Sequence, residues 1–372
     1  MVLFSYINFL IILFNGENMK KVISFPHMAD YYIPIKYFLE HVINCDILLA
    51  PPITNKTIEL GSKYSPDFVC TPFKYTLGSF IESLDMGANI IIQFGGGCRY
   101  GYYSELQEQV LKDLGYDFKM INLITAGKTD IKKIIKELKI IDCKFSKIKG
   151  IYYLLITKKM VEYMDIIDDY IRKNIGFEVD KGSFINLKNE MLEEFSNVKG
   201  YFYLKKIYKK YIKKFKMIKI NKPKDCLKVG IIGELYTVME PFANYNIEYE
   251  LAKKGVEIIR FTNVTYLLFK KKKAVKKYLK ENKLVKYRMG ADATDNIYFA
   301  KWMSDNNFDG IIHIKSSFCT PEISSMGIIN KICKEYDVPV NFYSFDANTS
   351  EVGIKTRLEA FYDVLEMRRN HD

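Results

Sequence analysis

Three cysteines occupy the same kind of local sequence. Cys70 closes the apolar run DFVC and precedes Thr71-Pro72, where proline suits a first helical turn. Cys98 follows NIIIQF through Gly95-Gly96-Gly97. Cys319 follows GIIHIK through Ser316-Ser317-Phe318 and precedes Thr320-Pro321. Each thiol is therefore expected at the carboxyl end of a strand, beside a helix N-terminus, where open α/β sheets bind ligands. The helix dipole there is expected to depress the thiol pKa, and thiolate is the form that ligates iron. If the three converge across an interdomain cleft, they supply three ligands of a [4Fe–4S] cluster and leave one iron without cysteine. Spacing alone also admits buried core thiols, because 28 residues separate Cys70 from Cys98 and no C-x-x-C occurs.

Strands are expected at KVISFP, CDILLA, DFVC, NIIIQF and FKMINL, and again at KVGIIGE, VEIIRFT, GIIHIK and VNFYSFD. These short apolar runs suit parallel sheets buried on both faces. Helices are expected between them. In Pro72–Met86, residues Phe73, Leu77, Phe80, Ile81 and Leu84 fall on one face, as do Tyr103, Leu106, Val110 and Leu114 in the next helix. Others are expected at Pro241–Lys254, Asp295–Asn306, Pro321–Tyr336 and Thr356–Met367, with a basic helix within 270–288. The fold class is α/β: two flavodoxin-like doubly wound parallel-sheet domains with a helical connector. The divisions are 1–18 as an apolar extension ahead of a natural start at Met19, 19–141 and 227–372 as α/β domains, and 142–226 as the lysine-rich connector. Apolar residues at 204, 207, 208, 211, 212 and 215 oppose a lysine face in that connector.

The 372 residues carry a net charge of +12, mostly from lysine, and 48% hydrophobic residues, which excludes wholesale disorder. Scarce arginine speaks against nucleic-acid reading. The run Val2–Phe14 is too short to span a bilayer, so a cytoplasmic protein with no membrane partner is expected. Seven cysteines, an odd number in a long chain with no evident export signal, speak against a disulfide framework; Cys45, Cys143, Cys226 and Cys333 read as structural. No G-x-x-x-x-G-K-[ST] loop is present and GGGCRYG is no dinucleotide fingerprint, so no ATP or NAD site is expected. His27, His41, His313 and His371 lack metal spacing.

The segments CTPFKYTLGSF (70–80), CRYGYY (98–103), GELYTVMEPFANYNIE (233–248), SFCTPEI (317–323) and TRLEAFYDVLE (356–366) resemble the iron–sulfur component of 2-hydroxyacyl-CoA dehydratases, from about Met19 to Met367. They look most like the activase-associated uncharacterised branch. The resemblance implies two flavodoxin-like lobes around a [4Fe–4S] cluster ligated by Cys70, Cys98 and Cys319. It also implies a separate ATP-hydrolysing activator with its own iron–sulfur cluster. That partner would supply a low-potential electron for radical dehydration or reduction of an acyl-CoA thioester. A paralogous subunit or a homodimer is a further implied partner.

By the same resemblance, Lys74 and Arg99 are candidates for charge tuning beside the cysteines, and Glu322 for a proton donor. Tyr236 and Asn244 are assigned to the pocket wall. Asp346-Ala347 departs from the acidic pair expected before TRLEAF, and MGADATDN (289–296) lacks a glycine–histidine pattern. Other readings are a non-catalytic iron–sulfur electron-transfer or maturation protein, or a double-cubane reductase of small molecules.

Overall fold

The computed structural model of the protein describes residues 20–94, 96, 98–123, 131–142, 144–267, 273–281, 284–287 and 289–371. The apolar extension, the expected start at Met19, Cys143 and most of the triple glycine lie outside them.

Residues Val22–Ser24 (β1), Tyr32–Val42 (α1), Asp46–Ile47 (β2), Asn55–Tyr64 (α2), Thr71–Asp85 (α3), Ile90–Gln93 (β3), Tyr103–Asp113 (α4), Lys119–Asn122 (β4) and Ile131–Ile141 (α5) form the first α/β unit. Its sheet is all parallel, in the order β2-β1-β3-β4. All four residues of β3 are buried, because helices cover both faces.

Three helices follow: Lys147–Asn174 (α6), Ser183–Ser196 (α7) and Tyr201–Met217 (α8). Leu204, Ile207, Tyr211 and Phe215 lie inward on α8 at the expected spacing, against Phe184 and Phe195 of α7 and Met160 and Met164 of α6. This core also takes in Ile33 and Tyr37 of α1, so the helical segment is packed onto the first unit.

The second unit comprises Lys228–Gly233 (β5), Leu235–Met239 (α9), Ile247–Ala252 (α10), Glu257–Arg260 (β6), Lys273–Glu281 (α11), Ala293–Asp305 (α12), Gly310–Ser316 (β7), Thr320–Glu335 (α13), Val340–Phe345 (β8) and Glu351–His371 (α14). The order β6-β5-β7-β8 repeats the first sheet's order, again all parallel. Thus both sheets have the flavodoxin-type arrangement, in which the crevice opens at the carboxyl ends of the strands.

Two expected elements differ. DFVC is a turn and not a strand: Val69 N–H bonds the Pro66 carbonyl, and Phe68 is 75% exposed. Cys70 is extended there because it is the cap of α3, the position just outside the helix where backbone is non-helical. The helix expected over Pro241–Lys254 is broken, because Tyr245 and Asn246 both adopt left-handed backbone. Of the basic helix expected within 270–288, α11 is the described part.

Helices α2 and α3 approach through glycine. A Cβ on Gly78 would collide with the Thr57 carbonyl, and one on Gly61 with the Lys74 carbonyl. Backbone cannot move aside as a side chain can, so Gly78→Ala should cost about 2–3 kcal/mol of unfolding free energy in urea titration. Gly353→Ala, on an exposed turn of α14 where an added Cβ would make only ordinary contact with Ser350 at 3.7 Å, should instead be neutral or stabilising by about 0.5–1 kcal/mol.

Candidate functional site

The carboxyl ends of the two sheets face each other, and the cysteines sit there. Cys70 caps α3, Cys98 caps a short 3-10 turn (Arg99–Tyr102), and Cys319 caps α13. Two cross-unit ties hold these positions. Thr71 donates its N–H to Ser316 Oγ at 2.7 Å and its hydroxyl to the Phe345 carbonyl at 2.9 Å. Arg99 Nη2 donates to the Phe318 carbonyl at 2.7 Å. Each tie starts at the residue after one cysteine and reaches a residue just before Cys319, Ser316 or Phe318, with Phe345 at the end of β8 as a further acceptor for Thr71. Phe68 meets Phe318 edge-on at 5.6 Å, beside them.

The thiols lie within electrostatic reach of one another: a charge on Cys98 is felt at Cys70, and one on Cys70 at Cys319. Cys70 Sγ shares a 2.7 Å hydrogen bond with the Tyr103 hydroxyl, and Tyr100 N–H points to Cys98 Sγ at 3.5 Å. Burial pushes Cys70 up to about 12 and raises Cys98 and Cys319 as well, with Glu234 adding to the rise at all three. The expected depression by helix dipoles is overturned. A dipole is worth about 0.3–1 kcal/mol, whereas desolvation shifts a buried group by up to about 3–5 pKa units. The metal-free thiols are protonated at neutral pH, and a metal binding there would release those protons.

Among the described residues, no three His, Cys, Asp or Glu side chains surround a single metal ion. A cubane needs no such grouping, because each of its irons takes its own thiolate. Three soft donors at two facing sheet edges, with a phenol hydrogen-bonded to one sulfur, have the chemistry that iron–sulfur ligation requires.

Sequence reasoning passed over Glu234. Gly233, at φ +145°, lies so close to the Ile314 carbonyl that no Cβ fits, so the end of β5 sits directly against β7. Glu234 then caps α9, accepting from Tyr236 N–H at 2.8 Å, Thr237 N–H at 3.0 Å and the Thr237 hydroxyl at 2.6 Å. Burial raises its carboxyl to about 7. The capping spacing E-x-x-T was the available signal. Lys315 on β7, also overlooked, is 4% exposed, and burial lowers its pKa beside Cys319 and Glu322.

Glu322 is not a surface charge: its exposure is 0%. Its carboxylate meets His313 Nε2 at 2.8 Å and Asn296 Nδ2 at 3.0 Å. Asn296 also donates to the Gly233 carbonyl at 3.0 Å. His313 and Asn296 were not singled out as functional, since a lone histidine in an apolar strand carries no spacing signal. Lys74 is half-buried on the first turn of α3. Tyr236 stacks on Tyr75 at 5.8 Å, and Asn244 donates to the carbonyls of Thr237 and Val238. Asp346 accepts from the Ser317 hydroxyl at 3.2 Å.

The remaining described cysteines lie elsewhere. Cys45 and Cys226 precede β2 and β5, at the opposite edges of their sheets. Cys333 is buried in the second unit's core, near the far end of α13.

Residues 275–365 match the family model for 2-hydroxyglutaryl-CoA dehydratase, D-component. The resemblance read from the sequence is shown over this segment, which contains Cys319, Glu322, His313 and Asn296. No curated protein matches the chain. No helix among the described residues is long and apolar enough to cross a membrane.

Removing the Glu322 carboxylate leaves His313 Nε2 without its partner in a buried site and takes one acceptor from Asn296. Glu322→Ala should cost about 3–5 kcal/mol in urea unfolding, and Glu322→Gln clearly less. Glu234 generates a pH dependence. Its carboxyl stands at about 7 in the folded protein against an ordinary 4.5. The folded state therefore holds the extra proton, and stability is full below about pH 4.5 and falls as pH rises through about 7. In the metal-free protein Glu234→Gln should flatten that fall, which is on the order of 2 kcal/mol after allowance for screening.

Proposed function

We propose that the protein is an iron–sulfur component of the 2-hydroxyacyl-CoA dehydratase type, holding a [4Fe–4S] cluster on Cys70, Cys98 and Cys319. The reading is carried by one observation: the three cysteines cap helices at facing sheet edges, tied across the cleft through Thr71 and Arg99. The match over residues 275–365 supports the same class. When bound, the cluster supplies one-electron chemistry at low potential toward an acyl-CoA thioester, with the electron coming from an ATP-hydrolysing activator.

The chain's own residues then have distinct tasks. Tyr103 gives a hydrogen bond to the Cys70 sulfur, which favours the ligating thiolate. Arg99 is engaged with the Phe318 carbonyl and brings positive charge beside Cys98. Glu234, raised to about 7, can hold or release a proton near neutral pH beside all three sulfurs. Glu322 is a positioning residue: His313 and Asn296 fix its carboxylate, and with it the first turn of α13 behind Cys319. Lys74 is assigned to charge tuning from the first turn of α3.

A single cluster is favoured over a double cubane by the placement of the other described cysteines. Fourteen residues of helix separate Cys333 from Cys319, about 20 Å along the axis, and Cys45 and Cys226 lie at the wrong sheet ends.

Anaerobic purification with iron and sulfide analysis and EPR spectroscopy tests the assignment. About four irons per chain are expected, lost in Cys70→Ser, Cys98→Ser and Cys319→Ser, with the EPR signal perturbed by an acyl-CoA thioester. Four irons with no response to any thioester would favour the electron-carrier reading. No iron after reconstitution would sink the proposal.

A further inference from the structure

The geometry points to a second binding site, for a small monocarboxylate, in the cavity where the first unit, the helical segment and the second unit meet. The cavity has a volume of about 160 Å³ and is lined by Asp30, Asp168, Arg172, Lys188, Glu248 and Arg260, with Met164 and Met239 among its apolar lining. None of the cysteines lines it, and its existence is independent of any iron.

The lining is nearly closed as an ion-pair network, except at one edge. Lys188 is shared between Asp30 at 2.7 Å and Asp168 at 3.0 Å. Arg260 Nη1 bonds Glu248 at 2.7 Å and the Val238 carbonyl at 3.0 Å. Arg172 is different. It is 7% exposed, its nearest carboxylate is Asp169 at 4.0 Å, and its Nε and Nη2 have no hydrogen-bond acceptor. These two nitrogens form the edge of the guanidinium that matches a carboxylate in a bidentate fork. Arg260, also 7% exposed, leaves its own Nε without an acceptor.

Leaving charged N–H donors dry and without an acceptor is costly, so an oxyanion between the two arginines satisfies what the protein does not. Charge selects the kind of oxyanion. The three cations of the lining are matched by three carboxylates, so one further negative charge is tolerated better than two, and carboxylate is favoured over phosphate. The methionines suit a short alkyl chain, and a cavity near 150 Å³ admits a ligand of about benzene size.

The test is calorimetric titration of the full-length protein with acetate and with lactate, at constant ionic strength balanced by chloride, and in parallel with inorganic phosphate. Saturable binding of a carboxylate is expected, weakened about tenfold or more by Arg172→Lys, which keeps the charge and loses the fork. Circular dichroism checks that this variant folds; should it fail, Arg260→Lys serves in its place and should weaken binding likewise. No saturable carboxylate binding to the wild-type protein would overturn the site. So would saturation by phosphate alone, or carboxylate binding unchanged in a folded arginine variant.

Discussion

Thr71 sets the level at which the two α/β units meet. Its backbone N–H and hydroxyl reach the carboxyl ends of two adjacent strands of the second sheet, β7 at Ser316 and β8 at Phe345, from the residue directly after Cys70. Both groups are buried, so they have no water to fall back on, and a shift between the units would strand them. Through this contact the carboxyl edges of two parallel sheets oppose each other. That is the edge at which parallel sheets expose helix N-termini and loops. The position of Cys319 relative to Cys70, the turn containing Phe68 and the closeness of Glu234 all follow from it.

The site combines groups held rigidly with groups left titratable. Glu322 is locked by His313 and Asn296 and is wholly buried, so it acts as structure beneath α13. Glu234 also has its oxygens engaged, by donors of its own short helix, yet burial raises its carboxyl into the physiological range. Two carboxylates in one cleft thus have separate tasks because their hydrogen-bond partners differ. The buried Lys315 on β7 brings positive charge within electrostatic reach of Cys319 and Glu322.

The helical segment is more than a spacer. Its core includes residues of α1, and its α6 face carries Asp165, Asp168 and Arg172 toward the second unit. Asp165 bonds the Tyr31 hydroxyl and accepts from Thr265 N–H at 2.8 Å, which joins all three parts of the chain in one polar network. Buried charges of this kind demand specific partners, so they fix geometry even where their net contribution to stability is small.

Much of this organisation was legible in the sequence. Apolar runs such as NIIIQF and GIIHIK announce strands buried on both faces, and the repeat at Leu204, Ile207, Tyr211 and Phe215 announces a helix with one inward face. The cysteines' places at helix starts follow from local punctuation by Pro72, Gly96 and Pro321. Periodicity reports which face of an element leaves water, and short-range punctuation reports where it begins. Neither reports which neighbour waits there. The bond from Thr71 to Ser316 spans 245 residues, the pairing of His313 with Glu322 is silent in their spacing, and the thiol pKa values turned upward because burial belongs to the assembled cleft. Only the packing of two sheets and three helices decided those, since burial and hydrogen-bond partnership are properties of what surrounds a residue.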